Sequence, residues 1–123
     1  MAYICQNPEQ YEKQPIIKPG ECVDLVKHCT NTTKTRPAST WREGIKVKGA
    51  NIPKGTAIAT FVGGKYPNNK SGQHAAIYLR QDAKAIYVVD QNRDLKFIQI
   101  REIRFNDGKG SRSNDGDAFS VID

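Results

Sequence analysis

Along the chain, apolar positions fall first into one helical stripe and then into a series of strand-like runs. Cys22, Leu25, Val26 and Cys29 stand at i, i+3, i+4 and i+7, the spacing that lines one face of a helix. The pattern predicts a helix starting at Glu21, with Gly20 as N-cap and an acid in the first turn. It fades in Thr30-Asn31-Thr32-Thr33. Residues 1–20 read as irregular, closed by Lys18-Pro19-Gly20, and residues 34–54 as polar and basic, with Trp41 and one short helical turn around 40–44. Strands are expected at 55–62, 73–80, 85–90, 95–105 and 118–122, with a tight connection at 81–84 and polar loops at 63–72 and 106–115. The run at 95–105 alternates, placing Phe97, Gln99, Arg101 and Ile103 on one face and Ile98, Ile100 and Glu102 on the other. One helix followed by a meander of about five strands is an α+β layout with an antiparallel sheet.

The aliphatic choice supports the strands: 12 Ile and 7 Val against 3 Leu. β-branched side chains are stiff at χ1 and suit a pleated surface. A chain of 123 residues is read as a single domain, 1–123. At that size roughly two-thirds of the unfolded surface is buried, enough for one core. Apolar runs last only a few residues, far from the ~18 that would span a bilayer, so no membrane span is expected. The start, MAYICQNPEQYEKQ, carries no basic patch followed by an apolar stretch, so synthesis in the cytoplasm without a signal peptide is expected.

Charge is uneven. The formal net charge is +6, but residues 27–80 carry ten Lys/Arg against the single acid Glu43. Such a surface favours anionic partners: nucleic acid, an anionic wall polymer or an acidic protein. No Lys/Arg run exceeds two residues, and aromatics do not interleave with the cations as in a single-strand binder. The three cysteines, Cys5, Cys22 and Cys29, form no CxxC pair, and His28 and His74 lie far apart, so neither a metal nor a cofactor is expected.

Three positions carry candidate chemistry. Cys22 falls at the second position of the expected helix, where unpaired backbone N–H groups stabilise an anion and lower a thiol pKa; the alternative is a buried core cysteine. His74 opens a strand beside two alanines. His28, the rival base, is six residues beyond Cys22 on the same helix, rotated about 240° from it. Asp90 ends the strand that returns alongside His74, where a carboxylate can hold an imidazole tautomer; the alternative is a strand-end turn former. Register decides this. A three-residue loop at 81–83 sets His74 against Asp90, whereas a four-residue loop at 81–84 sets it against Gln91 and turns Asp90 to the other face.

The segments PGECVDLVK, GQHAAIYL and VVDQN, with the His 52 residues after the Cys and the Asp 16 after the His, resemble the CHAP and NlpC/P60 cysteine peptidase superfamily. The resemblance implies a papain-like fold, with a nucleophile-bearing helix packed on an antiparallel sheet. It also implies Cys22 as nucleophile, His74 as base and Asp90 as orienting residue. Asp90-Gln91-Asn92 resembles the acid-x-Asn pattern of the third site, which makes Asn92 a secondary candidate beside Gln91. CHAP-type proteins commonly place Gln before the nucleophile; here it is Glu21, and an adjacent carboxylate raises a thiol pKa against the helix end.

A closer likeness runs over roughly residues 18–122: TWREGIKVKG, GTAIATF, GGKYPNN, GQHAAIYL, VVDQ and FSVID are similar to the second family of type VI secretion amidase effectors. That resemblance implies hydrolysis of amide bonds in peptidoglycan stem peptides or cross-links, between meso-diaminopimelate and D-alanine. It implies delivery by the type VI apparatus into a target periplasm and a cognate immunity protein, expected to be acidic. The rival classes are a basic nucleic-acid-targeting toxin and a catalytically inactive wall-binding module. The two other cysteines leave two readings. Cys22 and Cys29 are roughly 10 Å apart on a helix, beyond disulfide reach, so either Cys5 bridges Cys29 or both stay thiols.

Overall fold

The computed structural model describes residues 3–30, 37–67 and 72–123. Among the described residues one α-helix, α1 (Cys22–Thr30), precedes six strands: β1 (Glu43–Lys46), β2 (Ala57–Thr60), β3 (Ala75–Gln81), β4 (Ala85–Asp90), β5 (Gln99–Arg104) and β6 (Phe119–Ile122). All pair antiparallel in one sheet of order β1-β6-β2-β3-β4-β5. The expected meander holds from β2 to β5 and fails at the end of the chain. β6 returns to the other edge of β2 and lies between it and β1. All four residues of β6 are buried, which suits an interior strand better than an edge.

The sheet has six strands where about five were expected. The additional one, β1, is polar, half-exposed and joined to β6 through a shifted register, so it carries no apolar alternation. The helical turn expected around 40–44 lies earlier, as a 3-10 turn over Ala38–Thr40. The strand expected across 95–105 begins only at Gln99.

Two apolar clusters cover the sheet's two faces. On the α1 side, Leu25 and Val26 pack with Trp41, Ala59, Phe61, Ala75 and Ile77. On the other side, Val47, Ile58, Tyr78, Val88, Ile103 and Phe119 form the second layer. The helical stripe therefore faces inward as its spacing predicts. Small residues at 57, 59 and 75 let α1 lie close over β3.

α1 starts one residue later than expected, at Cys22. The Glu21 N–H donates to Asp24 Oδ2 at 2.8 Å, and the Asp24 N–H donates to the Glu21 carbonyl at 3.1 Å. This reciprocal arrangement fixes the first turn in the manner of a capping box. At the far end Cys29 is bridged to Cys5, their Cα atoms 5.1 Å apart. The Cys5 N–H also donates to the Gly55 carbonyl at 2.8 Å. The irregular N-terminal segment is thus tied both to α1 and to the start of β2. The polar tail of the expected helix beyond Thr30, and part of the 63–72 loop, lie outside the described residues.

Candidate active site

Cys22 is the free cysteine, half-buried at the first position of α1. The first N–H groups of a helix have no intrahelical acceptor, so the thiol stands at the positive end of α1. His74 immediately precedes β3 and is 6% exposed. It is held by its own backbone: its N–H donates to Thr60 Oγ1 at 3.0 Å, and its carbonyl accepts from the Thr60 N–H at 2.9 Å. The His74 ring is close enough to the Cys22 thiol for each group to shift the other's pKa.

The other side of the imidazole meets Asp90. His74 Nε2 lies 2.7 Å from Asp90 Oδ2, and Asp90 is 1% exposed. With Nε2 held there, Nδ1 is the ring nitrogen left for the thiol. Asp90 is itself oriented from β5: Gln99 Nε2 donates to its Oδ1 at 2.8 Å and Arg101 Nε to its Oδ2 at 2.9 Å. Arg101 also reaches the Asn114 side chain and the Ser113 carbonyl, each at 3.2 Å.

Neither register considered for the β3–β4 hairpin is the one adopted. Ile77 pairs with Val89 and Tyr78 with Val88, and an irregularity follows between Tyr78 and Arg80. Extended to its start, this register sets position 74 across from 92, two residues past Asp90. Asp90 remains on His74's face as a diagonal neighbour because the parity is unchanged. The tight end of the hairpin is set by Asp82, whose Oδ1 accepts from the N–H groups of Lys84 and Ala85 at 2.8 and 3.0 Å.

The secondary candidates do not meet the imidazole. Gln91 is fully buried with its side chain on a different task. Its Oε1 accepts from the Ile17 N–H at 2.8 Å, and its Nε2 donates to the carbonyls of Ile17 and Glu21 at 2.9 and 2.8 Å. It therefore anchors the chain entering α1, directly before Cys22. Asn92 is exposed, and its Oδ1 accepts from the Asp94 N–H at 2.9 Å. His28 is exposed and rests edge-on against Tyr11, away from the thiol.

One residue that sequence pattern did not single out completes the cluster. Tyr66 Oη lies 3.6 Å from Cys22 Sγ. Its ring stands against Trp41 and Phe61, with centroids 5.2 and 6.5 Å away. It sits in a turn-rich loop without periodicity, so only the GGKYPNN segment as a whole pointed to this region.

The electrostatics of these groups are coupled. Burial pushes the Cys22 thiol up, but the His74 ring, the Tyr66 hydroxyl and the Ala75 N–H together hold it below its ordinary value. Burial opposes charge on His74, yet the hydrogen bonds to Asp90 and Cys22 push its pKa up to about 9. Burial likewise works against an ionised Asp90, and His74, Arg101 and Gln99 overcome it, so the carboxyl lies below its usual range. A lowered thiol beside a raised imidazole shifts the pair toward thiolate and imidazolium. Glu21, whose charge opposes a thiolate, is paired through Oε1 with Arg93 Nε at 2.6 Å. The net shift at Cys22 is nevertheless downward.

The chain is similar to known proteins over nearly its whole length. The family model described as domesticated amidase effector 2 matches residues 1–122. A type VI secretion amidase effector 2 protein of Salmonella typhi is 49% identical over 96 residues, covering 76% of this chain and 70% of that protein. A domesticated amidase effector 2 of Ixodes scapularis is 34% identical over 123 residues, covering 97% of this chain and 83% of its own length. The solved structure of a type 6 secretion amidase effector 2 (Tae2) superposes with a TM-score of 0.86 at 34% identity, over 98% of this chain and 94% of that one.

Proposed function

The chain belongs to the family of domesticated amidase effector 2 and the second-family type VI secretion amidase effectors, and from that premise we propose that it is a cysteine amidase of peptidoglycan. The observation that supports the reading is the grouping of the Cys22 thiol, the His74 ring and the Asp90 carboxylate at the start of a helix. The whole chain, 1–123, acts as one amidase domain of papain-like, NlpC/P60-CHAP type.

In the proposed mechanism the Cys22 thiolate attacks the amide carbonyl carbon, forming a C–S bond while the carbonyl electron pair moves to oxygen. The N–H of Cys22, at the helix start, donates to that oxygen. As the intermediate collapses, the C–N bond breaks and the imidazolium of His74 gives its proton to the leaving amine. Neutral His74 then takes a proton from water, the hydroxide attacks the thioester, and the C–S bond breaks to return the thiolate. Asp90 holds the ring's Nε2 throughout and supports its charged form. Gln91 fixes the backbone carbonyl at Glu21 and with it the position of the nucleophile.

The substrate is a peptide bond in peptidoglycan stem peptides or cross-links, that between meso-diaminopimelate and D-alanine. The protein is a type VI secreted antibacterial effector acting in the target periplasm. The excess of cations between residues 27 and 80 supports an anionic wall polymer as substrate. It also supports an acidic immunity protein that covers the Cys22 cleft and binds less tightly as salt rises.

Purified sacculi and, in parallel, RNA and DNA incubated with the protein test this reading. Mass spectrometry is expected to find cross-linked muropeptides converted to monomers ending in a free D-alanine carboxyl, with the nucleic acids intact. Degraded nucleic acid with intact sacculi would replace the amidase by the toxin reading.

A further inference from the structure

Resting on the amidase reading and deepening it, we propose that Tyr66 is a catalytic residue whose hydroxyl follows the negative charge of the reaction. It donates first to the Cys22 thiolate and then to the substrate oxygen that becomes the oxyanion.

The phenol is built into the site. Its Oη is 3.6 Å from the reacting sulfur. The turn preceding it is closed by reciprocal bonds, Val62 N–H to the Lys65 carbonyl at 2.9 Å and Lys65 N–H to the Val62 carbonyl at 3.1 Å. That turn is tied to β1 by the Glu43 N–H, which donates to the Gly64 carbonyl at 3.3 Å. Trp41, 2% exposed, and Phe61, 7% exposed, fix the ring plane from two sides by edge contacts. A side chain held by packing and by a pinned turn costs little to keep in place when the reaction begins.

A phenol beside a thiolate can only donate to it. Burial and the neighbouring Cys22 charge push the Tyr66 pKa further above its ordinary value, so its proton stays on oxygen through the cycle. In the resting enzyme this donor stabilises the thiolate together with His74 and the Ala75 N–H. When sulfur bonds the carbonyl carbon, its charge disappears and reappears on an oxygen attached to that carbon. A donor aimed at the sulfur is then close to the position where oxyanion donors act, about 2.7–3.1 Å from the new charge. No proton leaves Tyr66; the amine's proton comes from His74. Tyr66 and the Cys22 N–H approach that oxygen from different elements, a loop and a helix start.

Tyr66→Phe keeps the ring and its contacts with Trp41 and Phe61, and so isolates the hydroxyl. The expected result is a fall in kcat of about 10²-fold on muropeptides with KM within threefold. The pH midpoint of Cys22 alkylation by iodoacetamide is expected to rise by about one unit. An unshifted alkylation midpoint overturns the contact with the thiolate, and an unchanged kcat overturns the transfer to the oxyanion. A matched circular dichroism spectrum and melting temperature keep a folding defect apart from both. Alkylation needs no peptidoglycan, so it tests Tyr66 even if the wild type leaves sacculi intact, which is the outcome that would instead remove the amidase reading.

Discussion

At the start of α1, Cys22 keeps a free thiol against a buried imidazole, while at its far end Cys29 is bridged to Cys5 and His28 lies exposed with its ring edge against Tyr11. Both ends therefore hold one cysteine and one histidine, on or beside a single nine-residue helix. Both cysteines belong to the same apolar stripe and pack against the same core. Their different fates come from three physical differences. The N-terminal end offers unpaired N–H groups, which favour an anion, and the C-terminal end offers carbonyls, which do not. The histidine at the N-terminal end is supplied from the position just before β3, pointed by Thr60 and charged by Asp90. His28 comes from the helix itself and turns away. Finally, Cys5 is pinned within bonding reach of Cys29 alone. Residue identity supplies a thiol; in the proposed mechanism helix polarity and partners from other elements decide whether it serves as a nucleophile or a staple.

The largest effect separating the two ends is expected from removing each sulfur in turn. Cys22→Ala should lower kcat by about 10⁴-fold or more, as loss of a nucleophile does. The double variant Cys5→Ala/Cys29→Ala, assayed well below its melting temperature, should stay within a few-fold of wild type. A Cys22→Ala protein that still turns over would break the comparison.

Next in size is the charge relay. Asp90→Asn removes the carboxylate that holds His74 protonated, and kcat should fall by roughly 10²–10⁴-fold. The sign of the pH effect follows from the shifts. The thiolate form requires pH above the lowered Cys22 value, and the imidazolium is lost as pH rises through about 9. In wild type the alkaline limb of single-turnover acylation should therefore lie near 9, and in Asp90→Asn it should move to lower pH. An unmoved limb would remove Asp90 from the relay.

Smaller again is the staple's contribution to stability. The bridge joins residues 24 apart in sequence, and closing a loop of that length is worth about 3 kcal/mol. Denaturant melts with and without reductant should differ by about that amount. Thiol titration of denatured, unreduced protein should count one free thiol, and three after reduction. Three before reduction would dissolve the bridge.

Least of all, His28→Ala should change stability by less than about 0.5 kcal/mol and kcat by less than twofold, as surface substitutions do. A larger loss would mean that the helix's far end contributes to the chemistry.

Much of this contrast could be read from the chain. The i, i+3, i+4, i+7 stripe gives α1 its buried face, and the six-residue offset already turns His28 away from Cys22. β2, β3 and β4 follow from continuous apolar runs, because a strand buried on both faces needs no alternation. What pattern could not supply is whatever depends on partners distant in sequence. β1 is polar and exists because β6 pairs with it. The hairpin register depends on an Asx turn at Asp82 and an irregularity near Leu79, and neither has an apolar signature. Gln91 reads as the alternative partner of the His74 ring, and Arg101 as one member of an alternating strand. Their tasks, anchoring Glu21 and orienting Asp90, appear only when the segments are brought together. Tyr66 belongs to the same class, an aromatic in a loop whose partners lie on the helix and beside β1.

The central proposal is that Cys22 is a nucleophile whose thiol is lowered by the groups gathered at its end of the helix, and alkylation of the folded, unreduced protein tests it most directly. Iodoacetamide at pH 6, followed by peptide mapping and an assay of residual hydrolysis, should find a single label on Cys22. Its rate should be well above that of a free thiol with pKa near 8.5, and activity should be lost in proportion to label. Labelling that follows an ordinary thiol titration, or full labelling of Cys22 with hydrolysis intact, would contradict the account.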